Sequence, residues 1–176
     1  MPRDRSLLNP GLAQMSEQSR YLRFMAPVEQ FSAGQLDYLT FVDHHDHEAI
    51  LAFDAVTGEG VGIARYVRTS RRTAEAAVSV ADAWHGRGLG GELVRFLAER
   101  AQDEGVRVFS AQTFATNEPS MRMLERLGRT RRSGAGSAVQ VRVRLRDRRP
   151  PRRRASAWLR RTLLSQCSSQ SSSSSA

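Results

Sequence analysis

The spacing of apolar residues along the chain changes several times, and each change marks an expected secondary-structure element. Segments 16–26 and 32–42 carry apolar residues at helical spacing, and Ser32 provides an N-cap for the second. The next segments have the spacing of strands and are 49–54, 61–68 and 73–82. The turn residues Thr57 and Gly58 between the first two strands predict a hairpin.

The second half of the chain alternates helical and strand-like patterns. The predicted elements are an amphipathic helix over 89–102, a strand over 106–113, a short helix over 118–127 and a final strand over 138–145. Pro119 suits the start of the short helix, and Gly128 suits its end. The order predicts an α/β fold with a mixed sheet, in which 73–82, 89–102 and 106–113 form a parallel crossover.

A length of 176 residues is enough for one domain with appendages. We predict an N-terminal extension over 1–15, a folded domain over 16–146 and a disordered tail over 147–176. The tail begins with arginines broken by two prolines and ends in serines, so it has little apolar surface to offset the entropy of ordering.

Positive charge is concentrated in the last quarter of the chain. Of the net charge of +9, residues 129–176 contribute thirteen arginines and one acid, whereas residues 1–128 hold fourteen arginines and seventeen acids. Such a segment can contact a nucleic acid or an anionic membrane, although a solvated extension is the simpler interpretation. The chain has no lysine, which fits an arginine-biased genome or avoidance of lysine amines.

Two further features bear on location. No run approaches the roughly 18 apolar residues that a membrane span needs, and the first residues lack the apolar segment of a secretory signal. The single cysteine, Cys167, cannot form an internal disulfide, which favours a reducing compartment. We therefore expect a cytoplasmic location and no transmembrane segment.

A glycine-rich loop over 85–91 joins the third predicted strand to the amphipathic helix. Glycines let backbone amides approach an anion, and a helix N-terminus adds unpaired N–H donors, so the loop is a candidate phosphate site. Gly86-x-Gly88-x-x-Gly91 formally matches a dinucleotide fingerprint, but the expected acid is missing at 110–112. A P-loop needs a lysine and is excluded. A tight turn without a ligand is the remaining alternative.

Several motifs around this loop resemble the GNAT (GCN5-related N-acetyltransferase) family. The loop matches the family's pyrophosphate motif as His85-x-x-Gly88-x-Gly90, with His85 in place of glutamine or arginine, and Asn117 and Ser120 match its Asn-x-x-Ser. Segments upstream, such as GIARYVR and AEAAVSVADAWHGRGLG, resemble the acetyltransferase domain of bacterial Pat-type protein-lysine acetyltransferases. The resemblance covers about residues 16–145.

The resemblance implies a GNAT-like acyl-CoA N-acyltransferase fold that uses acetyl-CoA as co-substrate, without a metal. It also implies a set of cofactor-binding residues at the strand, the loop and the second helix: Val78, Ser79, Val80, His85, Gly86, Arg87, Gly88, Leu89, Gly90, Gly91, Asn117 and Ser120. The amides of the first three would bind the pantetheine, and those from Arg87 to Gly91 the pyrophosphate. The implied reaction is acetyl transfer to a primary amine, with a protein lysine or a small amine as acceptor.

Glu75 is the candidate catalytic base. Strand alternation places Glu75, Ala77 and Ser79 on one face of the predicted strand, and a carboxylate among alanines and valines is costly unless it faces a cleft. By resemblance, Glu75 also stands where Pat-type domains carry their proposed catalytic glutamate. The alternative is a solvated glutamate on an edge strand.

Some positions depart from the family pattern. No strand is predicted before the first helix, so the first strand of the family is expected to be missing, and Leu124 stands where many members carry a tyrosine that protonates the thiolate. We therefore predict no general acid. The acidic and histidine cluster 43–48 has the wrong spacing for zinc and is predicted to be a polar loop. A silent acyl-CoA-binding module and a basic protein acting through the tail remain alternative functions.

Overall fold

Helices and strands alternate along the computed structural model, which describes residues 5–146. The elements are α1 Arg5–Ala13, α2 Glu17–Phe24, α3 Ala33–Thr40, β1 His47–Phe53, β2 Gly60–Ser70, β3 Thr73–Val80, a 3-10 turn Asp82–Trp84, α4 Leu89–Asp103, β4 Val108–Phe114, α5 Glu118–Leu127, β5 Gly128–Ser133 and β6 Ala138–Leu145. The strands form one mixed sheet in the order β1-β2-β3-β4-β6-β5. Only β3 and β4 pair in parallel, as the crossover through α4 predicts. The predicted mixed α/β fold is confirmed.

Helix α1 differs from the extension predicted over residues 1–15. It packs against β2 and α3, and Leu12 and Met15 at its end are buried. The sequence does not indicate this helix, because Pro10 lies inside it and no acidic residue occupies its first turn. The domain boundary at residue 16 is therefore not a structural boundary, and the tail predicted over 147–176 lies outside the described residues.

Strand β5 was also not predicted. Its sequence, GRTRRS, has no apolar alternation, and it is held by pairing with β6 and by contacts with α5. At the other side of the sheet β1, the first strand within residues 5–146, pairs only with β2 and so forms an edge in this part of the chain. None of the helices in this part of the chain has the length and apolar character needed to cross a lipid bilayer.

Helix α4 covers one face of the sheet and forms the core with it. The apolar stripe of the helix is fully buried and comprises Leu89, Leu93, Leu97 and Ala101. It packs on inward side chains of the strands, among them Tyr66, Phe109, Val141 and Val143. Because alternate strand residues point into this core, the remaining ones point to the opposite face, where the N-terminal helices contact β2, β3 and β4.

An ion pair between Arg100 of α4 and the buried Glu48 fixes the start of β1. Glu48 is 5% exposed, and its Oε2 atom accepts a hydrogen bond from Nε of Arg100 at 3.1 Å. Arg100 also donates to the backbone carbonyl of His44 at 3.1 Å, so one side chain ties the helix to two residues of the segment entering the sheet.

Replacing Arg100 by Leu is expected to lower the free energy of unfolding by about 3 kcal/mol, because the buried Glu48 carboxylate loses its guanidinium partner and keeps only the His44 ring and the Ala49 amide. Urea denaturation followed by circular dichroism measures this loss. Arg95→Leu on the same helix is the control, since Arg95 pairs with Glu92 and Glu99 at a solvent-exposed position and should lose less than about 1 kcal/mol. Equal losses in the two variants would contradict a special role for the buried pair.

Candidate active site

A slot opens between β3 and β4 at the centre of the sheet. The two strands pair only at their starts, where Thr73, Ala74 and Glu75 face Val108, Phe109 and Ser110. Beyond these pairs both strands continue, to Val80 and Phe114, without pairing to each other. Backbone groups on the facing sides of the two strands are therefore available to a ligand lying between them.

The direction of the β3 amides follows from its pairing with β2. The Ala81 amide donates to the Val61 carbonyl at 2.9 Å, and the register then makes Ser79 and Ile63 a hydrogen-bonded pair. Because backbone groups alternate sides along a strand, the amides of Val78 and Val80 point toward the slot, and the amide of Ser79 points toward β2. Ser79 instead lines a cleft with its side chain.

The glycine loop closes one end of this slot. Gly86 and Gly88 have φ values of 73° and 83°, a left-handed conformation that glycine adopts without strain. The Glu92 amide donates to the Gly88 carbonyl, so the amides of residues 89–91 precede the first helical hydrogen bond of α4. No group within residues 5–146 accepts a hydrogen bond from them, and a Cβ atom added at Gly86, Gly88 or Gly91 would meet open space. The loop is an open cradle of N–H donors.

Neighbouring side chains hold this cradle in place. His85 Nε2 contacts the Val80 carbonyl at 3.0 Å and thereby ties the loop to the end of β3. The Arg87 guanidinium lies 5.1 Å from the centroid of the Trp84 ring, a cation–π distance. The Ser16 amide donates to the Asp82 carboxylate at 3.2 Å, which connects the start of α2 to the turn before the loop.

Asn117 and Ser120 lie on the other side of the slot, after β4. The Asn117 side chain caps α5, because its Oδ1 atom accepts from the Ser120 amide at 3.2 Å. The position that would hold a tyrosine in many GNAT members is Leu124, which is 4% exposed in the core. No acidic group therefore comes from that residue.

Glu75 lies on the face of the sheet opposite α4. Its strand is flanked by β2 and β4, so the alternative of an edge-strand position is wrong, and its side chain is exposed on this open face. Its Cα partners are Val67 and Ser110. The neighbouring Ala76, Val78 and Val80 point into the core as the alternation predicts.

Two arginines that the sequence did not single out lie near Glu75. Burial, together with the charge of Arg65, lowers the pKa of Arg23 to about 10, and the Glu75 carboxylate opposes this shift. Burial likewise lowers the pKa of Arg65, against the neighbouring Tyr38 and Glu75. A signal for Arg65 existed, since strand alternation puts this charged residue on the same face of β2 as the apolar Ile63 and Val67. Arg23 gave no such signal.

Arg65 in turn fixes His47. An Arg65 guanidinium nitrogen donates to Nε2 of His47 at 2.6 Å, so this ring nitrogen carries no proton. Burial and then the Arg65 charge lower the pKa of His47, which keeps the ring neutral. The other two histidines of the 43–48 cluster contact other residues, His44 contacting Glu48 and His45 contacting Glu104. The predicted polar loop over 43–48 is wrong at its end, because His47 and Glu48 already belong to β1 and pair with β2. No group of three or more potential metal ligands occurs within residues 5–146.

A small, mostly apolar cleft of about 80 Å³ lies between the N-terminal helices and the open face of β2 and β3. Its polar lining includes Arg23, Arg65 and Ser79, and its apolar lining includes Leu8, Leu12, Met15 and Leu51. Tyr21 of α2 stacks on Phe114 of β4 at 5.4 Å between ring centroids, so α2 lies near the far end of the slot. The carboxylate of Glu75 thus shares one face with the cleft, and the slot opens beside it.

Comparison with known proteins gives consistent results. Residues 14–128 match the acetyltransferase (GNAT) family. The acetyltransferase Pat of Mycolicibacterium smegmatis is 32% identical over 120 residues, which cover 67% of this chain and 36% of that protein. An acetyltransferase of Pseudomonas aeruginosa is 31% identical over 118 residues, covering 65% of this chain and 61% of that protein. The chain therefore aligns with less than two thirds of the length of these curated relatives.

A solved structure of the GNAT domain of S. lividans PAT matches with a TM-score of 0.73 and 29% identity. The match covers 81% of this chain and 85% of that domain.

Proposed function

Because the chain belongs to the acetyltransferase (GNAT) family, we propose that it transfers an acetyl group from acetyl-CoA to a primary amine, and that the amine is a protein lysine. The observation that carries the proposal is the slot between β3 and β4, closed by an open cradle of amides at the start of α4. The relatives named as Pat support acetyl transfer, and their partial coverage leaves the acceptor as our own proposal.

The described residues fit acetyl-CoA. Two left-handed glycines and the amides of residues 89–91 suit a pyrophosphate, which gains hydrogen bonds and the positive end of the α4 dipole. The amides of Val78 and Val80 face the position that an extended pantetheine arm would take. Bound acetyl-CoA supplies an activated acyl carbonyl and a thiolate leaving group.

Glu75 acts as the general base in this proposal. The amine nitrogen attacks the thioester carbonyl carbon, a C–N bond forms, the C–S bond breaks, and the amine proton passes to the Glu75 carboxylate directly or through one water. The thiolate takes its proton from solvent, because Leu124 offers none. The positive charges of Arg23 and Arg65 disfavour a protonated amine nearby and so increase the reactive neutral fraction.

The proposal is tested with the purified full chain by two measurements. Calorimetry with acetyl-CoA measures binding, and release of free thiol with lysine peptides and small amines measures transfer. Binding with transfer supports the enzyme, binding without transfer to any amine indicates a silent module, and absence of binding overturns both. A cytoplasmic location stays a prediction from the single Cys167.

Gly88→Ala is expected to weaken acetyl-CoA binding about 5- to 30-fold, because a Cβ at φ 83° is strained by roughly 1–2 kcal/mol and the loop relaxes away from its open geometry. Calorimetry measures the change. Gly34→Ala is the matched control, since Gly34 lies in α3 with open space around it and away from the loop. Unchanged affinity in Gly88→Ala would argue against phosphate binding by this loop.

A further inference from the structure

Four arginines line the open face of β5 and β6. Strand pairing places Arg129 opposite Arg144 and Arg131 opposite Arg142, and all four side chains are exposed. Their strand neighbours Val141, Val143 and Leu145 are buried on the other face. Alternation in two paired strands therefore concentrates four positive charges on one surface, which we call the arginine face.

Among residues 5–146 the arginine face has no compensating acid. Within residues 5–146 none of the four arginines forms an ion pair, whereas Arg132, on the opposite face of β5, pairs with Glu125 at 2.8 Å. Like charges on adjacent strands repel, so this arrangement costs stability unless a partner binds there. The partner must be an anion.

The arginine face continues directly from Glu75. One row of Cα partners runs across the sheet from Glu75 through Ser110 and Arg142 to Arg131. Neighbouring strands are about 4.8 Å apart, so Arg142 and Arg131 lie roughly 10 and 14 Å from Glu75 along this row. The intervening residue of the row is Ser110, whose side chain is small, so the row itself places no bulky residue between Glu75 and the arginines.

These distances match the span of an extended peptide. A chain that advances about 3.3 Å per residue covers 10 to 14 Å in three to four residues. A lysine placed at Glu75 would thus have its neighbours three or four residues away above Arg142 and Arg131. The aspartate or glutamate side chains of such neighbours would meet a guanidinium there.

A nucleic acid fits this surface less well. Sheets that bind single strands present free aromatic rings for base stacking. On the face shared by β4, β5 and β6 the aromatic residue is Phe114, and its ring already stacks on Tyr21. The exposed carboxylate of Glu75 in the same row would also repel phosphates.

We propose that the arginine face binds acidic side chains of the acceptor protein, three to four residues from the lysine that is acetylated. The inference rests on the proposed function, since it takes Glu75 as the position of the acceptor amine. It adds a substrate class: lysines in acidic sequence surroundings, held by Arg131 and Arg142 next to the site and by Arg129 and Arg144 beside them.

The test compares two lysine peptides, one with glutamates three and four residues from the lysine on both sides and one with glutamines there. We expect the full chain to acetylate the glutamate peptide about tenfold more efficiently in kcat/KM, and this preference to disappear when salt is raised to about 0.5 M. In the double variant Arg131→Gln, Arg142→Gln the preference should be lost while kcat/KM for the glutamine peptide stays unchanged. Arg132→Gln, on the opposite face, is the control and should keep the preference.

Equal use of both peptides by the wild-type chain, or the same loss in Arg132→Gln, overturns the inference. Fluorescence anisotropy of the labelled glutamate peptide separates it from the proposed function. If neither peptide is acetylated, salt-sensitive binding of the glutamate peptide to the wild-type chain, lost in the double variant, still supports the arginine face. If the glutamate peptide does not bind, the inference is overturned. If an oligonucleotide of equal charge binds more tightly than the glutamate peptide and displaces it, the surface is instead assigned to nucleic acid.

Discussion

Glu75→Gln is expected to lower kcat/KM for acetyl transfer by about 10²- to 10⁴-fold, the usual contribution of a positioned general base. Glutamine has nearly the same size and polarity, so the exposed position on β3 should tolerate it, but its neutral amide cannot accept the proton of the amine. Acetyl-CoA binding should remain within about twofold, because the amides of the slot and of the loop are unaffected. Thiol release with a lysine peptide measures the first quantity and calorimetry the second.

The pH dependence separates a chemical role of Glu75 from a structural one. A lysine amine has a pKa of about 10.4, so fewer acceptor molecules need a base as the pH rises toward that value. The defect of Glu75→Gln should therefore shrink between pH 7 and pH 10. Glu99→Gln, an exposed glutamate on α4 paired with Arg95, serves as the control and should leave the rate unchanged. A small defect that is constant with pH would remove Glu75 from the mechanism.

Gly128→Ala is expected to destabilise the fold by about 3 kcal/mol, at the upper end of the cost of overpacking. Gly128 ends α5, begins β5 and faces Leu145 of β6. A Cβ atom there would overlap the carbonyl oxygen of Arg144 and lie 2.8 Å from its carbonyl carbon. These atoms belong to the backbone of a paired strand, so the clash is relieved only by shifting β5 away from β6. Chemical denaturation measures the loss.

Gly34→Ala is expected to change the free energy of unfolding in the opposite direction. Gly34 lies in helix α3, and a Cβ there meets nothing within 4 Å, so alanine should stabilise the protein by roughly 0.5–1 kcal/mol through its better helix propensity. Unfolding curves of the two variants should therefore move in opposite directions from the wild type. If Gly128→Ala unfolds at the same denaturant concentration as the wild type, β5 and β6 are not in close backbone contact at this point.

The order of most elements was predictable because those elements have strong local signals. The stripe of Leu89, Leu93 and Leu97 defines α4, and the alternation around Val141 and Val143 defines β6. Helix α1 and strand β5 were missed, since Pro10 interrupts the helical pattern of one and the other contains mostly arginine and polar residues. Both depend on partners far away in the sequence, which local patterns do not contain.

The candidate site divides in the same way. Glycines at 86 and 88, a helix start after them and a carboxylate in an apolar strand are local features, and the sequence alone determined them. The width of the slot, the approach of Arg23 and Arg65 to Glu75, the direction of the Ser79 amide and the row from Glu75 to Arg131 were decided only by the tertiary structure. They depend on which strands pair and in which register, and register is set by packing between residues distant in the chain.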